Sequence, residues 1–114
     1  MDISNEVKEY IDVDDALKRV AGNMGLYKKL LGRFVEGNHL DALDGAVLSG
    51  NTEEASHIAH TIKGVSANLS LVKVMSAAST LEQLFKSGDD FSACYDELKL
   101  VYNTTIEKIN EITN

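Results

Sequence analysis

Asn51-Thr52-Glu53-Glu54-Ala55-Ser56-His57-Ile58-Ala59-His60-Thr61-Ile62-Lys63-Gly64-Val65-Ser66-Ala67-Asn68-Leu69 reads as one long amphipathic helix. Ala55, Ile58, Ala59, Ile62, Val65 and Leu69 follow the i, i+3, i+4, i+7 template of a helix that buries a single face. Asn51 supplies a capping side chain, and Glu54 three residues on completes a capping-box-like start. Asn68 and Ser70 mark a break, with Ser70 able to cap the helix beginning at Leu71. The same template then restarts with a fresh phase in Leu71, Val74, Met75, Ala78, Leu81 and Phe85. Ser87-Gly88-Asp89 stops it, and Phe91, Cys94, Leu98, Val101, Thr105, Ile109 and Ile112 continue the pattern to the end of the chain.

Upstream the same punctuation recurs. Residues 1–10 are polar and either fray or form a short leading helix. Asp12-Val13-Asp14-Asp15 offers N-cap residues to a short helix through Ala16, Leu17, Val20 and Ala21, closed by Gly22-Asn23. Tyr27, Leu30, Leu31, Phe34 and Val35 share one helical face. Gly37-Asn38 interrupts it, and Leu40, Leu43, Val47 and Leu48 resume, as one kinked helix or two in series. Four helices of about 16–25 residues joined by very short turns must run antiparallel to their neighbours. The expected fold is all-α: an antiparallel up-down four-helix bundle with a short additional N-terminal helix, in one domain over residues 1–114. The absence of proline from 114 residues agrees with uninterrupted helices. An aromatic content of only 6% leaves the core to aliphatic side chains.

Eighteen acidic against 11 basic residues give a net charge of −7. Phosphate backbones and anionic membranes repel such a chain, so neither nucleic acid nor a membrane is an expected partner. The single cysteine, Cys94, cannot form an internal disulfide and reads as a core thiol in a reducing compartment. No stretch approaches 18 apolar residues and no signal-peptide pattern opens the chain, so a cytoplasmic protein is expected. Met1 and the compact ends lean toward a whole protein over a domain cut from a larger one, and a monomer is expected.

On the wheel of the quoted helix, His60 falls roughly 160° from the centre of the apolar cluster, which spans about 120°. It therefore points at solvent. An exposed face normally carries Glu, Lys and Gln, yet the face after His60 is reduced to Gly64 and Ala67. Glycine inside a helix costs roughly 0.8–1.0 kcal/mol relative to alanine, and close approach of another protein to the imidazole is a reason to accept that. A neutral imidazole is a nucleophile near pH 7. Lys63, three residues on, can offset negative charge placed on it, although most exposed lysines only solvate a surface.

His60-Thr61-Ile62-Lys63-Gly64 resembles the His-x-[Leu/Ile]-Lys-Gly signature of histidine-containing phosphotransfer (HPt) domains, the intermediate carriers of bacterial multistep phosphorelays. Ala59, Val65-Ser66-Ala67-Asn68-Leu69 and Leu81-Glu82 extend the likeness. So do Ile11-Asp12-Val13, Gly22-Asn23, Leu26-Tyr27, Leu30-Leu31 and Phe34, so that matches run from about residue 11 to 88. The family often has glycine where this chain has Ser70.

The resemblance implies reversible phosphoryl exchange between a receiver-domain aspartate and His60. His60 is then the phosphorylated nucleophile, Lys63 neutralises phosphoryl charge and Gly64 leaves the partner's approach open, with His57, Gly64 and Ala67 as docking residues. The partners implied are response-regulator receiver domains and a hybrid sensor histidine kinase. The chain would be a phosphocarrier rather than an enzyme, with the Mg²⁺ site on the receiver and no cofactor or metal of its own. A helical interaction bundle without phosphorylation is the alternative. A metal site at His57 and His60 lacks a specified third ligand. Glu53, Asp89 and Asp90 read as caps and solubilising charge.

Overall fold

The turn residues end or begin helices for identifiable reasons. The computed structural model describes residues 3–113. In chain order its helices are α1 (Asn5–Tyr10), α2 (Val13–Arg19), α3 (Met24–Glu36), α4 (His39–Leu48), α5 (Thr52–Leu69), α6 (Val72–Ser87) and α7 (Ser92–Thr113). Side-chain oxygens of Ser4, Asp12, Asn23 and Asn51 each accept the backbone N–H three residues on, at 3.0–3.2 Å. Such a cap stabilises a helix by about 1 kcal/mol. Residues 5–10 thus form a leading helix; Met1 and Asp2 lie outside the described residues.

Asn38 decides between one kinked helix and two. Its backbone is left-handed (φ 55°, ψ 42°), a conformation that ends a helix and that asparagine tolerates better than most residues. α3 and α4 are therefore separate and in series, 13 and 10 residues long, shorter than the sequence pattern alone implied. Together they form the first arm of the bundle. α5 and α6 make the central antiparallel pair, and α7 packs beside α6 and α3. Leu31, Leu43, Ile62, Leu71, Val74, Leu81 and Leu98 are fully buried between them. Phe34 packs on Tyr102 with ring centroids 5.1 Å apart, and the Tyr27 hydroxyl donates to the Leu69 carbonyl at 2.8 Å.

Two expectations at helix starts are corrected. Ser70 does not cap the helix after it. It terminates α5 in a left-handed conformation (φ 58°), its hydroxyl donates to Asp15 Oδ2 at 2.7 Å, and α6 begins without a side-chain cap. A positive φ is the reason glycine suits this position. Nor is the capping box at Asn51 reciprocal: the Asn51 N–H already donates to the Ala46 carbonyl at 3.0 Å, leaving nothing for Glu54 to accept. Cys94 is only half-buried, with Sγ 3.6 Å from the Ala77 carbonyl.

The two short leading helices gather at the α5–α6 turn. The Asp12 N–H donates to the Ser70 carbonyl at 2.9 Å, and Lys73 and Lys108 pair with Glu9 and Glu6 of α1 at 2.6 and 3.4 Å. The middle of α5 is left uncovered by them.

Candidate functional site

His60 stands in the middle of α5 with 62% of its side chain exposed. α5 carries it there because Ala55, Ala59 and Ile62, all 0% exposed, commit the opposite face of the helix to the core. The imidazole leans toward α6, where Nδ1 lies 3.0 Å from Oε2 of Glu82. Glu82 is buried. It shares the inward phase of Ala78, Leu81 and Phe85, so α6 presents it to α5 at the rim of the core.

Three cationic or proton-bearing groups close over that carboxylate. Lys86, one turn along α6, donates to Oε2 at 2.9 Å. Lys63, one turn along α5 from His60, sits 3.0 Å from Oε1 as an ion pair without the alignment of a hydrogen bond. The hydrogen bond from Lys86 does most to lower the Glu82 pKa. Burial opposes it and Lys63 adds to it, and the result is about 2. Glu82 is ionised across the physiological range. A carboxylate removed from water without partners is strongly unfavourable, and here its partners are the surface side chains that shield it.

An ionised carboxylate can only accept hydrogen bonds. The proton of the neutral imidazole is therefore held on Nδ1, and the lone pair is left on Nε2, facing away from α6. Gly64 lies one turn beyond His60. A methyl group placed on it would meet nothing within 4 Å, so neither packing nor backbone conformation calls for glycine there. Beside it, Lys63, Gly64 and half-buried Ala67 from α5 and Met75, Ser76 and Ser79 from α6 line a shallow groove. His57 is exposed on the other flank of His60, in a depression shared with Glu53, Ser56 and Lys86.

The structure thus brings His60, Lys63 and Gly64 together, with Ala67 in the adjoining groove and His57 across the ring from it. Among the described residues, no three His, Cys, Asp or Glu side chains cluster as metal ligands. The central group, Glu82, received no role from the sequence, nor did Lys86. The signals were the Leu81-Glu82 pair that extends the family likeness and an acidic residue on the core phase of an amphipathic helix, with a lysine at i+4.

The model of one protein family, described as the Hpt domain, matches residues 31–109. The chain belongs to the Hpt domain family. The match spans the whole helical framework of the site, from late α3 to late α7, and leaves α1 and α2 outside it. Comparison with the curated proteins and with the solved structures returned no match. Hpt domains serve phosphotransfer in phosphorelays as carrier modules rather than catalytic enzymes, working with receiver domains and kinases, and the helical bundle here is theirs. No described helix of this Hpt domain is long and apolar enough to cross a membrane.

Proposed function

We propose that this Hpt domain carries a phosphoryl group on Nε2 of His60, exchanging it with the aspartate of a receiver domain. The observation that supports this most is the tether between His60 Nδ1 and buried, ionised Glu82 at 3.0 Å. It leaves an exposed ring with one nitrogen committed and the other available.

In the forward step the Nε2 lone pair forms the N–P bond while the P–O bond to the receiver's aspartate breaks. The electron pair of that bond leaves on the carboxylate. The ring then bears both the Nδ1 proton and the phosphoryl group, and is formally cationic. Glu82 stabilises that positive charge through the Nδ1 proton, a charge-assisted hydrogen bond. Lys63 lies beside the phosphoryl oxygens and offsets their charge. Gly64 and Ala67 leave room for the partner's surface along α5, with His57 at its edge. Positioning and charge neutralisation supply most of the catalysis in such transfers. The Mg²⁺ and the acidic pocket belong to the receiver, and a hybrid sensor kinase is the expected source of the phosphoryl group. The chain acts as a cytoplasmic monomer.

The test is incubation with a phosphorylated receiver. An acid-labile, alkali-stable label should appear on the wild type, vanish in His60→Gln and largely persist in His57→Gln. Label retained by His60→Gln overturns the assignment. An unlabelled wild type that still binds receivers favours the plain interaction bundle instead.

A further inference from the structure

Phosphoryl transfer as proposed uses His60, Lys63 and Glu82, but not Lys86. Lys86 Nζ and His60 Nδ1 meet the same carboxylate oxygen, Glu82 Oε2, at 2.9 and 3.0 Å. The ammonium is therefore within about 6 Å of the ring nitrogen, since both lie one hydrogen-bond length from Oε2. Lys63 occupies the other oxygen. One buried carboxylate thus holds two ammonium groups beside the ring, in a chain whose net charge is −7. Lys86 is also the more exposed of the two, at 58% of its side chain against 32% for Lys63, so an arriving phosphoryl group can reach its ammonium even though it makes the aligned hydrogen bond to Glu82.

We propose that Lys86 is a second cation for the phosphoryl group, parked on Glu82 while His60 is unmodified and transferred to a phosphoryl oxygen once the N–P bond forms. This inference rests on His60 being the phosphorylated residue. The exchange is favourable at both ends. A phosphoryl group arrives with negative charge that two ammoniums neutralise better than one. At the same moment the ring becomes cationic, and the Nδ1 proton already on Oε2 makes a charge-assisted bond that compensates Glu82 for the loss of Lys86. Glu82 keeps a compensating positive charge throughout, first from Lys86 and then from the ring. No co-reactant is needed, because the change moves an ammonium group between two acceptors and breaks no covalent bond.

The experiment uses phosphoramidate, a small phosphoryl donor that labels exposed histidine without a receiver, and follows the product by phosphorus NMR. Labelled wild type is compared with Lys86→Met, Lys86→Arg and Lys63→Met. Lys86→Met is expected to shorten the phosphohistidine half-life several-fold and to raise the pH at which the phosphoryl group takes up its last proton. Lys86→Arg should restore both and melt with the wild type to within a few degrees, whereas Lys86→Met and Lys63→Met, which each remove a partner of buried Glu82, should melt lower while still folding cooperatively. A half-life and a phosphoryl titration in Lys86→Met equal to wild type overturn the proposal. So does an effect seen only in transfer from a receiver, which makes Lys86 a docking charge. Failure of wild-type His60 to take the label from either phosphoramidate or a receiver is a different failure, that of the carrier reading itself.

Discussion

His60 Nδ1 lies 3.0 Å from Glu82 Oε2, joining a ring that is 62% exposed to a carboxylate that is 3% exposed. Buried charge and open imidazole are thus one unit, and its parts can be removed separately. Glu82→Gln keeps an acceptor for the Nδ1 proton but not the charge; Glu82→Ala keeps neither. Hydrogen bonds to charged groups contribute roughly 1.5–3 kcal/mol, and each 1.36 kcal/mol is tenfold in rate. Single-turnover transfer from a phosphorylated receiver should fall about tenfold in Glu82→Gln, and further in Glu82→Ala. Equal rates in all three proteins mean that the tether plays no part in transfer.

The same carboxylate links stability to pH. Its folded pKa of about 2 lies below the ordinary value of 4.5. A depressed carboxylate contributes stability that is fully present above the unfolded value and is lost as pH falls through the folded one. The contribution is on the order of 2 kcal/mol once solvent screening of its exposed lysine partners is allowed for. In denaturant titrations wild type should exceed Glu82→Gln near pH 6, and the gap should close between about pH 4.5 and pH 2. A gap independent of pH would place the effect in packing rather than charge.

Gly64→Ala fills space in which nothing stands within 4 Å, so it should raise stability by up to about 1 kcal/mol through helix propensity alone. Gly64→Gln should also fold normally while blocking transfer from the receiver. Thermal melts and transfer rates on the two variants check this. A wild-type transfer rate in Gly64→Gln removes the reason given for the glycine.

Lys63→Ala should slow transfer several-fold at low salt, because an exposed or half-exposed ion pair contributes typically 0.2–1 kcal/mol. The deficit should shrink at high salt, where the Debye length falls to about 3 Å at 1 M. Receiver binding must be measured in parallel at each salt concentration. Complete loss of transfer with binding intact indicates that Lys63 orients the phosphoryl group directly.

Ser70 is held at φ 58° and donates to Asp15 at 2.7 Å. Ser70→Gly loses the hydrogen bond but relieves the left-handed backbone, two effects of roughly 1 kcal/mol each, so its melting temperature should stay near wild type. Ser70→Ala loses the bond and keeps the strain, and should melt several degrees lower. The reverse order refutes the account of this turn.

Much of this was legible in the residues. The inward phase of Ala55, Ala59 and Ile62 already turns His60 outward, and Asp12 and Asn51 begin helices because their short side chains reach an unpaired N–H locally; Asn23, read only as the close of the helix before it, caps the next one in the same way. Such signals lie within one turn of helix. What was missed depends on two helices at once. Glu82 acquires meaning only when α6 packs against α5, and Lys86 only when Glu82 is found occupied by a ring and a second lysine. The Ser70 hydroxyl goes to Asp15, 55 residues away in sequence, where no periodicity could place it. The break at Asn38 was visible, but whether it bends or separates the helix turned on a single backbone angle.

A ring anchored at one nitrogen has a single port. With Nδ1 held by Glu82, the proposed carrier role requires a phosphoryl donor and a phosphoryl acceptor both to use Nε2, on the same open side of α5. They cannot occupy it together. On that proposal, traffic through His60 is serial. The first partner must vacate the surface before the second arrives, and steady-state kinetics with two receivers should show the parallel-line pattern of a ping-pong shuttle. Throughput is then governed by how briefly each partner stays, which favours weak and fast-dissociating encounters over tight ones.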